Sequence, residues 1–150
     1  MRILVVDDEI DHRLLLRNYF SLEGWDVVLA ENGQEAVTKL EQEKIDLVVS
    51  DICMPIMDGI KLHTTVRNLP KHETTPFLFV SAYDDQNTLE AVNDPKRDGF
   101  FKKGKPVSEL REWVLYLTAP EDQRPNYTPG NKPKLRLPGP HRGRPRDLRG

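Results

Sequence analysis

Five short apolar runs punctuate the first 118 residues, and the stretches between them place apolar positions at helical spacing. Ile3–Val6 is an unbroken run rich in β-branched residues, as expected of a strand buried on both faces. Val27–Leu29, Leu47–Val49, Phe77–Val80 and Phe100–Phe101 read as four more strands. Residues 10–22 form the first predicted helix, with Ile10, Leu14, Leu15 and Leu22 on one side and Gly24 ending it. Asn32 and Gly33 open a second to about residue 43, with Ala36, Val37 and Leu40 inside, and residues 58–68 a third, with Ile60, Leu62 and Val66. A short helix fits 85–93, stopped at Asp94-Pro95 because proline cannot continue a helix. Val107–Leu117 is the last, with Ser108 as its expected cap. Alternating strands and helices imply an α/β doubly wound fold, five parallel strands covered by five helices. No internal repeat is present.

After Thr118 the pattern stops. Residues 119–150 hold seven of the twelve prolines and four of the nine glycines, with little apolar content beyond Leu135, Leu137 and Leu148. Such a segment cannot bury enough surface to offset its ordering entropy, so disorder with polyproline-like stretches is expected. The predicted organisation is one domain over 1–118 and a Pro/Gly/Arg-rich tail over 119–150. The net charge of −2 conceals an asymmetry: the tail carries eight Lys/Arg against three Asp/Glu, so the domain is acidic. Cys53, the one cysteine, excludes an internal disulfide framework and a cysteine-rich zinc site. The apolar run at the N-terminus is too short for a signal peptide or a membrane span, which makes a cytoplasmic location the expectation.

In a doubly wound sheet, ligands bind outside the carboxyl ends of the strands. The polar residues that follow the apolar runs are Asp7, Asp8 and Glu9 after the first, Asp51 after the third, Ser81 after the fourth and Lys105-Pro106 after the fifth. Clustered carboxylates repel one another and are costly to desolvate. A hard divalent cation with oxygen ligands relieves both, and magnesium needs only one or two direct carboxylates alongside a phosphate oxygen. A lysine and a hydroxyl opposite suit the oxygens of a transferring phosphoryl group. Such a cleft supports attack of a carboxylate on phosphorus, giving an acyl phosphate. Solvated acidic loops that merely cap helices would account for one such strand end, but poorly for four together.

These residues carry a resemblance. Val5 to Glu9 (V-V-D-D-E), Val49 to Gly59 (V-S-D-I-C-M-P-I-M-D-G), Val80 to Ala82 (V-S-A) and Lys105-Pro106 resemble, in order, the motifs of a response-regulator receiver domain over residues 1–118. The resemblance implies a flavodoxin-like sheet of order 2-1-3-4-5. It implies that Asp51 takes a phosphoryl group from a sensor histidine kinase or phosphotransfer protein. It implies that Asp8, Asp51 and the backbone carbonyl of Cys53 hold Mg2+, with Asp7 acting mainly through water. Lys105 would pair with the phosphoryl oxygens, Ser81 would swing toward them, and the Ala82 amide would donate. Cys53 and Tyr83 would line the path of hydrolytic water. The chain would then be a signalling phosphoacceptor that catalyses its own phosphorylation and dephosphorylation, rather than an enzyme acting on other substrates.

The lysine admits two registers. Lys105 is favoured because proline follows it, in a peptide bond often cis in the family, yet Ser81 to Lys105 is longer than the family spacing. Lys103 is the alternative, because Phe100 stands three positions before it, where the family has a switch aromatic. With Lys105, Phe101 could take that role if Lys103-Gly104 bulges the strand. His12, His63 and His72 have no mutual ligand spacing and read as solvated surface residues; Trp25 and Trp113 read as packing. Three other functions compete: a regulator whose basic tail grips nucleic acid nonspecifically, a receiver that docks partners without phosphorylation, and a phosphoaspartate-forming hydrolase. A 32-residue Pro-rich tail cannot form a helix-turn-helix, which argues against sequence-specific DNA binding. The hydrolase would need an acid/base Asp where Cys53 stands. A homodimer on phosphorylation is left open.

Overall fold

Parallel pairing organises the molecule. In the computed structural model, which describes residues 1–82 and 94–131, the strands are β1 (Arg2–Val6), β2 (Asp26–Ala30), β3 (Leu47–Asp51), β4 (Phe77–Ser81) and β5 (Asp98–Lys102). They form one sheet in the order β2-β1-β3-β4-β5, every pair parallel, as expected. Among the described residues the α-helices are α1 (Ile10–Leu22), α2 (Gly33–Gln42), α3 (Gly59–Arg67) and α4 (Val107–Thr118). The short helix expected at 85–93 lies outside the described residues, as do Tyr83 and 132–150.

Successive side chains of a strand point to opposite faces, so each strand feeds two cores. Leu4, Val6, Val48, Phe77 and Phe79 pack under α2 and α3, against Ala36, Leu40, Leu62 and Val66. Ile3, Val5, Val49, Leu78 and Val80 pack under α1 and α4, against Leu16, Phe20, Leu110, Val114 and Leu117. Trp113 packs directly against β5 because position 99 is glycine; a Cβ there would stand 2.5 Å from its ring.

Several expectations need correcting. The inner stripe of α1 is Leu16 and Phe20, one turn apart, whereas Ile10, Leu15 and Leu22 are 59%, 60% and 86% exposed. The helix holds two candidate stripes, and the one ending in the large Phe20 ring, which also contacts Trp25, faces the sheet. Pro106, not Ser108, stands at the N-cap of α4. Disorder from residue 119 onward does not hold for 119–131, which form a 3-10 turn at Glu121–Gln123 and are tied to the domain through Arg124.

His63 and His72 are not surface residues. His72 is buried between the Leu40 carbonyl at 3.0 Å and Thr75 Oγ1 at 2.9 Å. His63 lies on the inward stripe of α3 with Gly59, Leu62 and Val66, its ring between Phe77 and Phe79. Its Nε2 is 3.0 Å from Asp98 Oδ1 but off the line of a hydrogen bond. Arg67 completes the cluster, donating to Asp98 Oδ1 at 2.5 Å and to the Thr75 carbonyl at 2.6 Å. Burial pushes the Asp98 carboxyl up, but His63 and Arg67 outweigh it and hold it below the ordinary value. This cluster fastens the start of β5 to α3 at the sheet edge opposite the strand carboxyl ends.

Two stability changes follow. Asp98→Asn removes the partner of a largely buried guanidinium and is expected to lower urea-unfolding stability by about 3 kcal/mol at pH 7. A depressed carboxyl contributes stability that is complete above its unfolded value, near 3.9, and lost as pH falls through the folded value. The wild-type advantage over Asp98→Asn is therefore expected to shrink below about pH 4. Gly59→Ala would set a Cβ 2.2 Å from the Asp51 carbonyl oxygen, and a loss of about 2–3 kcal/mol is expected in the same assay.

Candidate functional site

The site lies on the edge where β1, β3, β4 and β5 end. Asp7 follows β1 directly and is buried, while Asp8 and Glu9 lie on the exposed side of the turn into α1. Asp51 is the last residue of β3 and Ser81 the last of β4, both buried. Ala82 and Cys53 are exposed beside them, and with Asp8, Glu9, Asp51, Ser81 and Lys103 they line a cleft of about 250 Å³.

Carboxylate oxygens of Asp7, Asp8 and Asp51 all lie within 4.8 Å of one another. Asp7 is held on every side. Its Oδ1 accepts from the Glu9 amide at 2.9 Å, its Oδ2 meets His12 Nδ1, and its carbonyl accepts from Arg13 at 2.7 Å. Asp51 Oδ1 accepts from the Ile52 amide at 2.8 Å, and its carbonyl accepts from Ser50 Oγ at 2.8 Å. Gly59 sits against that same carbonyl, and its amide donates to Ile52 at 2.8 Å. The loop between bends through a γ-turn centred on Ile56, where Met57 donates to the Pro55 carbonyl at 2.8 Å and Ile56 has φ 71°. A β-branched residue there is strained by about 1–2 kcal/mol. Asp58 then caps α3, accepting from the Lys61 amide at 2.8 Å.

The lysine that reaches this cluster is Lys103. Its Nζ is 3.2 Å from Asp51 Oδ2 and 3.8 Å from both Asp7 Oδ2 and Glu9 Oε1. The end of β5 does not bring Lys105, the residue expected there, to the cluster. Lys102 pairs with Ser81 in unbroken register, so no bulge forms, and the Lys103 amide still donates to the Ser81 carbonyl at 2.8 Å. The chain then turns through Gly104 at φ 95°, the Lys105 amide returning to the Lys102 carbonyl at 3.2 Å. That turn carries Lys105 out to solvent and leaves Pro106 to cap α4; the bond between them is not cis. Phe100, three residues before Lys103, is half-buried against the α3-side core, whereas Phe101 is buried in the other.

The two carboxyls differ in electrostatics. Burial pushes Asp51 up, and the nearby charge of Asp7 adds to this; Lys103 and the Ile52 amide oppose it, and the net is raised. Burial also pushes Asp7 up, but hydrogen bonds from His12 and the Glu9 amide, with the charges of His12 and Lys103, outweigh it, and the net is lowered. Desolvation alone would lower the Lys103 ammonium, yet Asp51, Asp7 and Glu9 more than reverse this and raise it. His12 was missed by sequence reasoning. The signal for it is its spacing, five residues after Asp7, which returns the first turn of α1 over the end of β1.

A family model described as the response regulator receiver domain matches residues 3–115. An uncharacterized 14.6 kDa protein of Leptolyngbya boryana is 46% identical over 120 residues, 79% of this chain and 92% of that one. Regulator of RpoS of Escherichia coli K12 is 36% identical over 79% of this chain, which spans only 35% of that protein's length. Response regulator MprA of Mycolicibacterium vanbaalenii is 33% identical over 81% of this chain and 53% of its own. Among solved structures, response regulator TrrA from Thermotoga maritima, in complex with Mg(2+)-BeF, has a TM-score of 0.66 at 33% identity over 77% of this chain and 97% of that chain. Chemotaxis protein CheY4 of Vibrio cholerae shares the fold at TM-score 0.72 and 24% identity, over 77% of this chain and 97% of that one. With the family match running from β1 into α4, this chain belongs to the response regulator receiver domain family.

Proposed function

We propose that Asp51 accepts a phosphoryl group from a phosphohistidine on a sensor histidine kinase or phosphotransfer protein, and that the chain signals through protein contacts. Receiver domains as a family are signalling phosphoacceptors, generally not classed as enzymes, and interact with such partners. The observation that carries the reading is the contact between Lys103 Nζ and Asp51 Oδ2 at 3.2 Å, within a cleft of three carboxylates. One Asp51 oxygen is held by the Ile52 amide, leaving the other on the Lys103 side as nucleophile. That oxygen attacks phosphorus, the P–N bond to the imidazole breaks, and the electron pair leaves with the ring nitrogen. The product is an acyl phosphate. Lys103 then pairs with the arriving phosphoryl oxygens, which exchanges one anion for another without moving a buried cation.

The carboxylate set fits a hard divalent cation, being all oxygen and mutually repulsive without one. Asp7, Asp8, Asp51 and the backbone carbonyl of Cys53 are the groups that would hold Mg2+. When bound, the ion offsets negative charge on the phosphoryl group. Ser81 and Ala82, at the end of β4, line the same cleft, and the Ser81 hydroxyl and Ala82 amide would donate to the same oxygens. Phe100 is the aromatic whose packing would report the change, given its spacing from Lys103. No described helix is long and apolar enough to cross a membrane, and a cytoplasmic site of action fits the proposed kinase partner.

Acetyl phosphate with Mg2+ tests the reading by intact mass. One phosphoryl group is expected on the wild type and none on Asp51→Asn or after chelation with EDTA; an unmodified wild type would instead mean docking without phosphorylation. Lys103→Ala is expected to slow acceptance roughly 10²-fold, while Lys105→Ala leaves it unchanged. The reverse ranking would restore Lys105.

A further inference from the structure

The chain does not leave the domain where its last helix ends. Arg124 pins the following segment down, donating to Leu117 at 3.2 Å, Ala119 at 3.1 Å and Lys96 at 2.6 Å, all carbonyls, with its guanidinium 5.0 Å over the Tyr116 ring. From there the segment runs back along α4 until Gly130 lies against Glu109, in the helix's first turn; a Cβ on Gly130 would stand 3.3 Å from Glu109 Oε2. Strap and helix enclose a groove of about 300 Å³, lined mainly by Leu115, Tyr116, Pro125, Tyr127 and Pro129, with Glu112 in its wall. Leu115 is 41% exposed there.

Three features of the chain indicate what fills this groove. The first is direction. Asn131 donates to the Thr128 carbonyl at 3.0 Å around Pro129 and a Gly130 at φ 87°, the residues and φ of a type II turn. Such a turn reverses the strap and aims the end of the described chain, Asn131, back along α4. The second is length. From Glu109 to Ala119 the helix rises about 15 Å, and an extended, strand-like chain covers about 3.3 Å per residue, so roughly five residues span the groove. Prolines 133, 138 and 140 restrain the residues before them to extended backbone. The third is pattern. Lys134, Leu135, Arg136 and Leu137 alternate, so an extended chain presents both leucines on one side and both cations on the other. Glu109 at the mouth and Glu112 in the wall supply the opposite charge.

We infer that the groove is the docking site of the chain's own segment 132–140, with Leu135 and Leu137 against Tyr116 and Tyr127, and Lys134 and Arg136 facing Glu109 and Glu112. The segment is tethered one residue beyond the turn, where effective concentrations reach the millimolar range, so a weak contact suffices. The docked segment covers the outer face of α4 and fills its apolar groove.

Full-length protein, labelled for NMR, provides the test. Nuclear Overhauser contacts are expected between the methyls of Leu135 and Leu137 and the rings of Tyr116 and Tyr127, in a protein that sediments as a monomer. Substituting both Leu135→Ser and Leu137→Ser should abolish these contacts and speed amide exchange in 123–131 severalfold, with far-UV circular dichroism unchanged. Absence of the contacts in the wild type would overturn the inference. So would contacts that vanish on dilution along with a dimer, because the groove would then hold the tail of a second copy.

Discussion

Parallel register is the constraint on which everything else rests. Because β1, β3, β4 and β5 all run the same way, their carboxyl ends share one edge, and Asp7, Asp51, Ser81 and Lys103 meet there from positions far apart in the chain. Helices cover both faces of such a sheet, so the edge is also where buried strands give way to solvent. Carboxylates placed at that boundary are partly desolvated and need compensating charge. Lys103 supplies it to Asp51, Asp7 and Glu9 at once.

The compensation is unequal, and the inequality separates the two buried aspartates. Asp7 is fastened by His12 and the Glu9 amide and is held low, as suits a group that keeps its charge and its place. Asp51 is raised by burial and by Asp7 itself, which together outweigh Lys103 and the Ile52 amide. Gly59 guards this arrangement from behind, since any side chain there would press on the Asp51 carbonyl. The motif that follows Asp51 thus serves position as well as chemistry: a strained γ-turn at Ile56 and an Asp58 cap bring α3 in just where that glycine is needed.

On the opposite side of the sheet plane, α4 links the site to the strap. Its N-terminus is set by the Gly104 turn that delivers Lys103 to Asp51, and its outer face is where residues 119–131 return. The strap holds despite being poor in apolar residues because one arginine satisfies three carbonyls and stacks on Tyr116. Composition averages over such a residue, which is why the tail reads as uniformly disordered until the contacts of Arg124 are known.

By itself the sequence determined the fold class, the strand positions to within a few residues, and the set of polar residues at the strand ends. These follow from period and from runs of β-branched residues, which are local. It also held the inward place of His63, legible in the spacing of Gly59, Leu62, His63 and Val66, although no ligand pattern drew attention to it. Tertiary structure alone set Lys103 rather than Lys105 beside Asp51, because that depends on whether β5 keeps register with β4 through Lys102 and where the chain then turns. It alone turned α1 so that Leu16 and Phe20, rather than Ile10, Leu15 and Leu22, face the sheet. In each case the local pattern admits two readings, and long-range packing, which the sequence does not display as a pattern, separates them.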